Sequence, residues 1–297
     1  MNFDEKFAKL REDIEAALEK YTAYDPAIGQ AVVMDAMRYS LLGGGKRIRA
    51  VLALEFCDAF GCDKELAMPA ACALEMVHAY SLIHDDLPCM DDDDMRRGKP
   101  SNHKKFGEGM AVLAGDGLLT LAFETLSCDD TVSLLGAEKV LKLVKALSFA
   151  AGEYGMLGGQ VIDVTNEGVS LPEKQHREMV AMKTGALIKC AVLCGCISAG
   201  ASDEEIVLAN SYAEKVGLAF QITDDILDVV GDSAVLGKNI GSDEKENKVT
   251  FVTLYGLETA KRMADGLFDS AQSDLKKLFP KNEFLPRLTA LLAGRNS

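Results

Sequence analysis

Apolar residues recur at spacings of three and four along almost the whole chain. Phe3, Phe7, Leu10, Ile14, Leu18 and Tyr21 draw one apolar face on a first helix. A second helix is predicted over residues 27–42 and stops at Gly43-Gly44-Gly45. A third spans 47–60 ahead of Gly61. A fourth spans 69–84, is apolar on most faces, and starts at Pro69, which a first turn tolerates. Further helices fit 110–126, 136–151, 172–195 and 203–229, with a last pair between 249 and 292. Alternating strand patterns are nearly absent. The pattern predicts an all-α fold, a large helical bundle with one or two central helices apolar all round and therefore buried. Seven prolines and no Ser/Gly-rich stretch leave no linker, so one domain over residues 1–297 is expected.

Composition narrows the partners. The net charge of −14 disfavours nucleic acid and anionic membrane surfaces. The first twenty residues carry Lys6, Lys9 and Arg11 and lack the apolar core of a signal peptide. The longest charge-free apolar stretch, 190–202, is too short to span a bilayer. A cytoplasmic protein without a membrane span is expected, with its eight cysteines as free thiols. Cys190 and Cys194 lie one helical turn apart beside Cys196. They have no fourth ligand nearby and sit among Ala, Val, Leu and Gly, so they read as buried helix residues and not as a metal site.

Consecutive aspartates occur at Asp85-Asp86, Asp91 to Asp94, Asp129-Asp130 and Asp224-Asp225. The pair at 129 reads as a solvated loop or helix cap. Around 224 the chain is strongly apolar, and Gln221, Asp224, Asp225 and Asp228 share one helix face. Three carboxylates there repel each other and lose hydration, which favours a bound cation. Asp85 and Asp91 are six residues apart, about 240° around a helix, and cannot share a face. Pro88 favours ending the helix before it, after which Asp91 can fold back toward Asp85. Two clusters of hard oxygen ligands point to magnesium, several ions bridged by a diphosphate.

Cations accompany the carboxylates. The segment 43–49 supplies Lys46, Arg47 and Arg49, and fails as a P-loop because residue 40 is Ser and no Ser/Thr follows Lys46. His78 and Asp85, seven apart, share a helix face. Arg96 and Arg97 can take phosphate oxygens bidentately or pair with Asp91 to Asp94.

With Asp-Asp, four residues and Asp at 85–91, then Asp-Asp, two residues and Asp at 224–228, the chain resembles the trans-isoprenyl diphosphate synthases, closest to the bacterial farnesyl type. The resemblance implies metal ligation by Asp85, Asp86, Asp91, Asp224, Asp225 and Asp228. It implies isopentenyl diphosphate binding by Lys46, Arg49, His78 and Arg97. It assigns the allylic diphosphate to Arg96, Lys183, Thr184, Gln221, Lys238 and Lys248. Gly107, Gly115 and Asp116 match family segments and read as packing residues, and His84 reads as structural. The implied reaction is magnesium-dependent condensation of isopentenyl diphosphate with dimethylallyl or geranyl diphosphate by a homodimer. Farnesyl diphosphate is the expected product and geranylgeranyl diphosphate the alternative. Tyr80 and Ser81, about one turn before Asp85, are the candidates that limit product length, Tyr80 by resemblance alone. The chain departs from the pattern at Ala50, where proline is common, and in a short C-terminal tail.

A class I terpene cyclase shares the first motif but carries an Asn/Ser/Glu-type second one. A non-catalytic partner subunit of a heteromeric prenyltransferase should have degraded motifs, and here they are intact. A metal-buffering protein accounts for the acids and not for the matched cations.

Overall fold

A computed structural model describes residues 1–166, 168–169, 171–230 and 249–294, and the regular elements among them are helices apart from one short hairpin. Helix α1 (Phe3–Tyr21) opens with a capping box between Asn2 and Glu5. Helices α2 (Ala31–Leu41), α3 (Ile48–Ala59) and α4 (Met68–Asp85) follow. The hairpin pairs β1 (Met95–Arg96) with β2 (Lys99–Pro100). Helices α5 (Asn102–Phe106), α6 (Glu108–Ser127), α7 (Asp129–Leu135), α8 (Ala137–Ala151) and α9 (Met156–Thr165) come next. Helix α10 (Glu173–Val180), a π-helical turn (Ala181–Gly185) and α11 (Ala186–Ala199) form one continuous rod. The long α12 (Asp203–Val230) precedes α13 (Phe251–Tyr255), α14 (Leu257–Leu278) and α15 (Phe284–Leu292).

The all-α prediction holds, and several elements differ from it. The helix α9 was not anticipated, because Gly158 and Gly159 depress helix propensity. Asp129 and Asp130 form the first turn of α7, where acids meet the positive end of the helix dipole. The predicted 172–195 helix runs on through Gly195 and ends at Gly200, whose φ of +79° takes the left-handed cap.

By contacts the chain divides into two compact units, Met1–Lys145 with Ile197–Ala199, and Ala146–Cys196 with Gly200–Ser297. The core of the first unit is α4, buried continuously from Met68 to Val77 and packed by α3 and α6. Each such aliphatic side chain contributes about 1.5–3 kcal/mol relative to an exposed one. In the second unit α12 packs along α14, around the fully buried Tyr212, Ala213 and Val216.

Three helical runs, Lys64–Asp85, Glu108–Ser127 and Glu173–Ala199, are long and apolar enough to cross a membrane by length and composition. A search for charge-free stretches alone passes over these runs, because they carry one or two charges. Their apolar windows are 78%, 39% and 61% buried within the protein.

Candidate active site

The first aspartate loop grows out of the end of α4. The Asp85 carbonyl accepts the Asp91 N–H at 2.9 Å, so the chain after Pro88 folds back as the proline argument predicts. Asp92 sits in the left-handed region at φ 51°. Asp85 is half-buried and Asp91 exposed. Asp86 is buried, and its Oδ1 accepts from Arg96 Nε at 2.7 Å and from Nη2. Arg96 Nη2 also reaches Asp93 at 3.1 Å. Burial pushes the Asp86 carboxyl up, and Arg96 pulls it down less strongly. Arg96 is thus paired with acids of its own loop. Among the described residues, the three acid, Cys or His ligand atoms within 4.8 Å of one another belong to Asp92, Asp94 and His103, and not to either predicted triad.

Beside this loop lies a cleft lined by Arg47, His78, Asp86, Arg96 and Arg97. Arg97 donates to the Gly44 carbonyl, and its guanidinium lies against Gly45, where a Cβ would come within 3.1 Å of Cζ. Gly44 and Gly45 hold φ of +90° and +133°, so the glycine run serves both the turn and the close approach. Of the three basic residues at 46–49, Lys46 is exposed. Arg47 is buried on Glu15 (2.7 Å), Glu75 (3.1 Å) and the Leu41 carbonyl (2.5 Å). Arg49 Nε is buried without a hydrogen-bond partner among the described residues. Burial, then Arg49 and Arg97, hold His78 well below its usual range, so it is neutral at pH 7. Glu75 and its pairing with Arg47 escaped sequence reasoning; the available signal was an acid inside the most apolar helix. The Ala50 N–H donates to Glu75 Oε1 at 3.3 Å, a bond that proline at this position would forfeit.

The second aspartate face lies on α12 in the other unit. Gln221 Nε2 donates to Asp225 Oδ1 at 2.9 Å, and the Phe251 N–H donates to Asp225 Oδ2 at 2.8 Å. The expected need for a cation is therefore partly met at Asp225 by protein donors. Asp224 and Asp228 are half-buried. Thr184 Oγ1 donates to Gln221 Oε1 at 2.9 Å. Lys183 Nζ pairs with Asp163 at 2.5 Å. Asp163 was missed; it ends Gly-Gly-Gln-Val-Ile-Asp, a pattern without an apolar stripe. Lys238 and Lys248 lie outside the described residues.

Tyr80 packs edge-on against His84, centroids 5.8 Å apart. Ser81 Oγ turns back to the His78 carbonyl at 3.0 Å. His84 Nε2 meets the Val112 carbonyl at 3.1 Å, and Gly115 leaves the space its ring occupies, as packing roles require. Gly107 instead supplies a φ of +88° between α5 and α6, with nothing near its missing Cβ. Cys190 and Cys194 are buried with their sulfurs 3.8 Å apart.

The polyprenyl synthetase family model matches residues 30–279. The chain belongs to the polyprenyl synthetase family, a class of prenyltransferases. It is 46% identical over 246 residues to heterodimeric geranylgeranyl pyrophosphate synthase large subunit 1 of Arabidopsis thaliana, covering 82% of this chain and 66% of that one. It is 45% identical to the geranylgeranyl pyrophosphate synthase of Catharanthus roseus, over 84% of this chain and 70% of that one. Among solved structures it resembles an FPP/GFPP synthase from Zymomonas mobilis, with a TM-score of 0.87, 35% identity and coverage of 98% and 99%. A geranyltransferase from Legionella pneumophila gives a TM-score of 0.86 at 34% identity, with coverage of 98% and 96%.

Proposed function

We propose that this protein condenses isopentenyl diphosphate with an allylic diphosphate and makes geranylgeranyl diphosphate. The transfer chemistry rests chiefly on one observation: the Asp85–Asp91 loop adjoins a cleft where Arg96, Arg97 and neutral His78 meet. Such a cleft suits a diphosphate better than a metal-buffering role does. The expected farnesyl product gives way to the geranylgeranyl alternative, because the curated relatives at 40–46% identity carry that name. Farnesyl diphosphate remains the second reading, favoured by Tyr80 packed one turn from Asp85 and by the names of the similar structures.

In this reading Lys46, Arg49, His78 and Arg97 hold isopentenyl diphosphate, while Arg96, Lys183, Thr184 and Gln221 hold the allylic partner. Asp85, Asp91, Asp224 and Asp228 offer hard oxygens suited to magnesium, and Asp86 and Asp225 are turned onto Arg96 and onto Gln221 with the Phe251 N–H. Bound magnesium supplies charge neutralisation of the departing diphosphate. Arg96 and Lys183 add positive charge where negative charge develops. The allylic C–O bond breaks, the isopentenyl double bond attacks the resulting cation, and the proton lost in restoring an alkene passes to the released diphosphate. No histidine base is needed.

The proposal includes one catalytic domain, so that loss of either aspartate motif abolishes the same reaction. It includes a cytoplasmic homodimer with no nucleic-acid partner. The dimer is supported by the poorly covered apolar side of α6, where Val112 and Leu113 are exposed. The test is chromatography of dephosphorylated products after incubation with isopentenyl and dimethylallyl diphosphates. A C20 alcohol is expected; a C15 product alone selects the farnesyl reading, and no prenyl product overturns both.

A further inference from the structure

Two independent features of α9 converge on one residue of the π-helical turn. A Cβ at Gly159 would overlap the backbone nitrogen and Cα of Lys183, so the two backbones touch there. Asp163 lies four residues on, on the same face of α9. Its Oδ2 accepts from Lys183 Nζ at 2.5 Å, with both side chains less than one-third exposed. The neighbouring Gly158 leaves room for Met182, which tightens the same junction. Backbone and ammonium of Lys183 are therefore fixed by one helix face, through a missing side chain at 159 and a carboxylate at 163. On the other side of the turn, Thr184 is tied to Gln221 and Gln221 to Asp225, so the next residue has its own support.

A lysine has four rotatable side-chain bonds, and ordering it costs conformational entropy. An ammonium that must meet a developing negative charge gains from being ordered beforehand. We infer that Asp163 is a positioning residue: it holds the Lys183 ammonium in place for an allylic diphosphate. This rests on the proposed role of Lys183 in binding that substrate. Asp163 itself touches no substrate in this account.

The experiment is a double-mutant cycle in the full-length protein with Asp163→Asn, Lys183→Gln and the double variant. The probe is geranyl S-thiolodiphosphate, a slowly reacting allylic diphosphate, titrated by calorimetry with magnesium present. Steady-state KM values for geranyl and isopentenyl diphosphates are measured in parallel. Asp163→Asn is expected to weaken probe binding about tenfold, the worth of one charge-assisted hydrogen bond. The isopentenyl KM should stay unchanged, and Asp163→Glu should recover part of the loss. In the Lys183→Gln background, Asp163→Asn should cost nothing further. Additive losses, or a normal Kd in Asp163→Asn alongside a weakened Lys183→Gln, overturn the inference and leave the functional reading standing. Normal binding by Lys183→Gln overturns the role of Lys183 and the inference with it. A wild type that does not bind the probe overturns the functional reading as well.

Discussion

Glu75→Ala offers a severe test of how the basic segment at 46–49 is held. Glu75 and Arg47 are 3% and 4% exposed, with Nη1 and Oε2 3.1 Å apart. Removing one member of a buried pair typically costs about 3–5 kcal/mol, because the other charge stays buried. Arg47 keeps Glu15 and the Leu41 carbonyl, and the Glu15 side chain is 31% exposed, so the pair's own share falls toward about 2–3 kcal/mol. The Ala50 N–H loses its acceptor, which adds about 1 kcal/mol. The sum, about 3–4 kcal/mol, is a large part of the 5–15 kcal/mol that ordinarily holds a domain. Urea unfolding with a shared m-value measures it. In the folded fraction, the KM for isopentenyl diphosphate should rise more than that for the allylic substrate, since Lys46 and Arg49 flank the released Arg47. A loss below about 1 kcal/mol at unchanged m would refute the claim that Glu75 anchors this segment.

Chelation of divalent cations should abolish turnover, measured by release of labelled acid-labile product; full activity in excess chelator would contradict the metal assignment. Tyr80→Ala should lengthen the product distribution on chromatography, and an active variant with unchanged products removes Tyr80 as the limit to chain growth. Burial lowers both His78 and His176. Below about pH 6.5 the unfolded chain therefore binds protons that the folded chain refuses, and stability is lost as pH falls from there toward the folded values. The Tm should drop between pH 7 and pH 5, and His78→Gln should flatten that slope; an identical slope in the variant would show that His78 does not titrate in this way.

Much of the site is written locally, and that part was legible. The spacing of Asp85 and Asp91 with Pro88 between them foretells a loop that returns to the helix end, and the Asp91 N–H bond to the Asp85 carbonyl realises it. The shared face of Gln221 and Asp225 appears as a direct hydrogen bond. What sequence did not show depends on partners far along the chain. Glu75 looks like a misplaced acid until Arg47 is seen beside it. Asp163 is one surface acid among many until Gly159 brings Lys183 against it. The hairpin at 95–100 is too short to show alternation, and helix α9 carries Gly158 and Gly159 in its first turn.

The π-helical turn at Ala181–Gly185 has a consequence for sequence length. It fits one more residue into a turn than an α-helix does, so everything after it is rotated by about 100° relative to an uninterrupted helix. The rod from Glu173 to Ala199 is thus two helical phases joined at Lys183 and Thr184. A single-residue deletion inside the turn would restore one phase. It would also swing the buried Cys190 and Cys194 side of α11 away from the direction it now faces. A chain that keeps both Lys183 and Thr184 at this junction and the present face of α11 is bound to the turn's residue count.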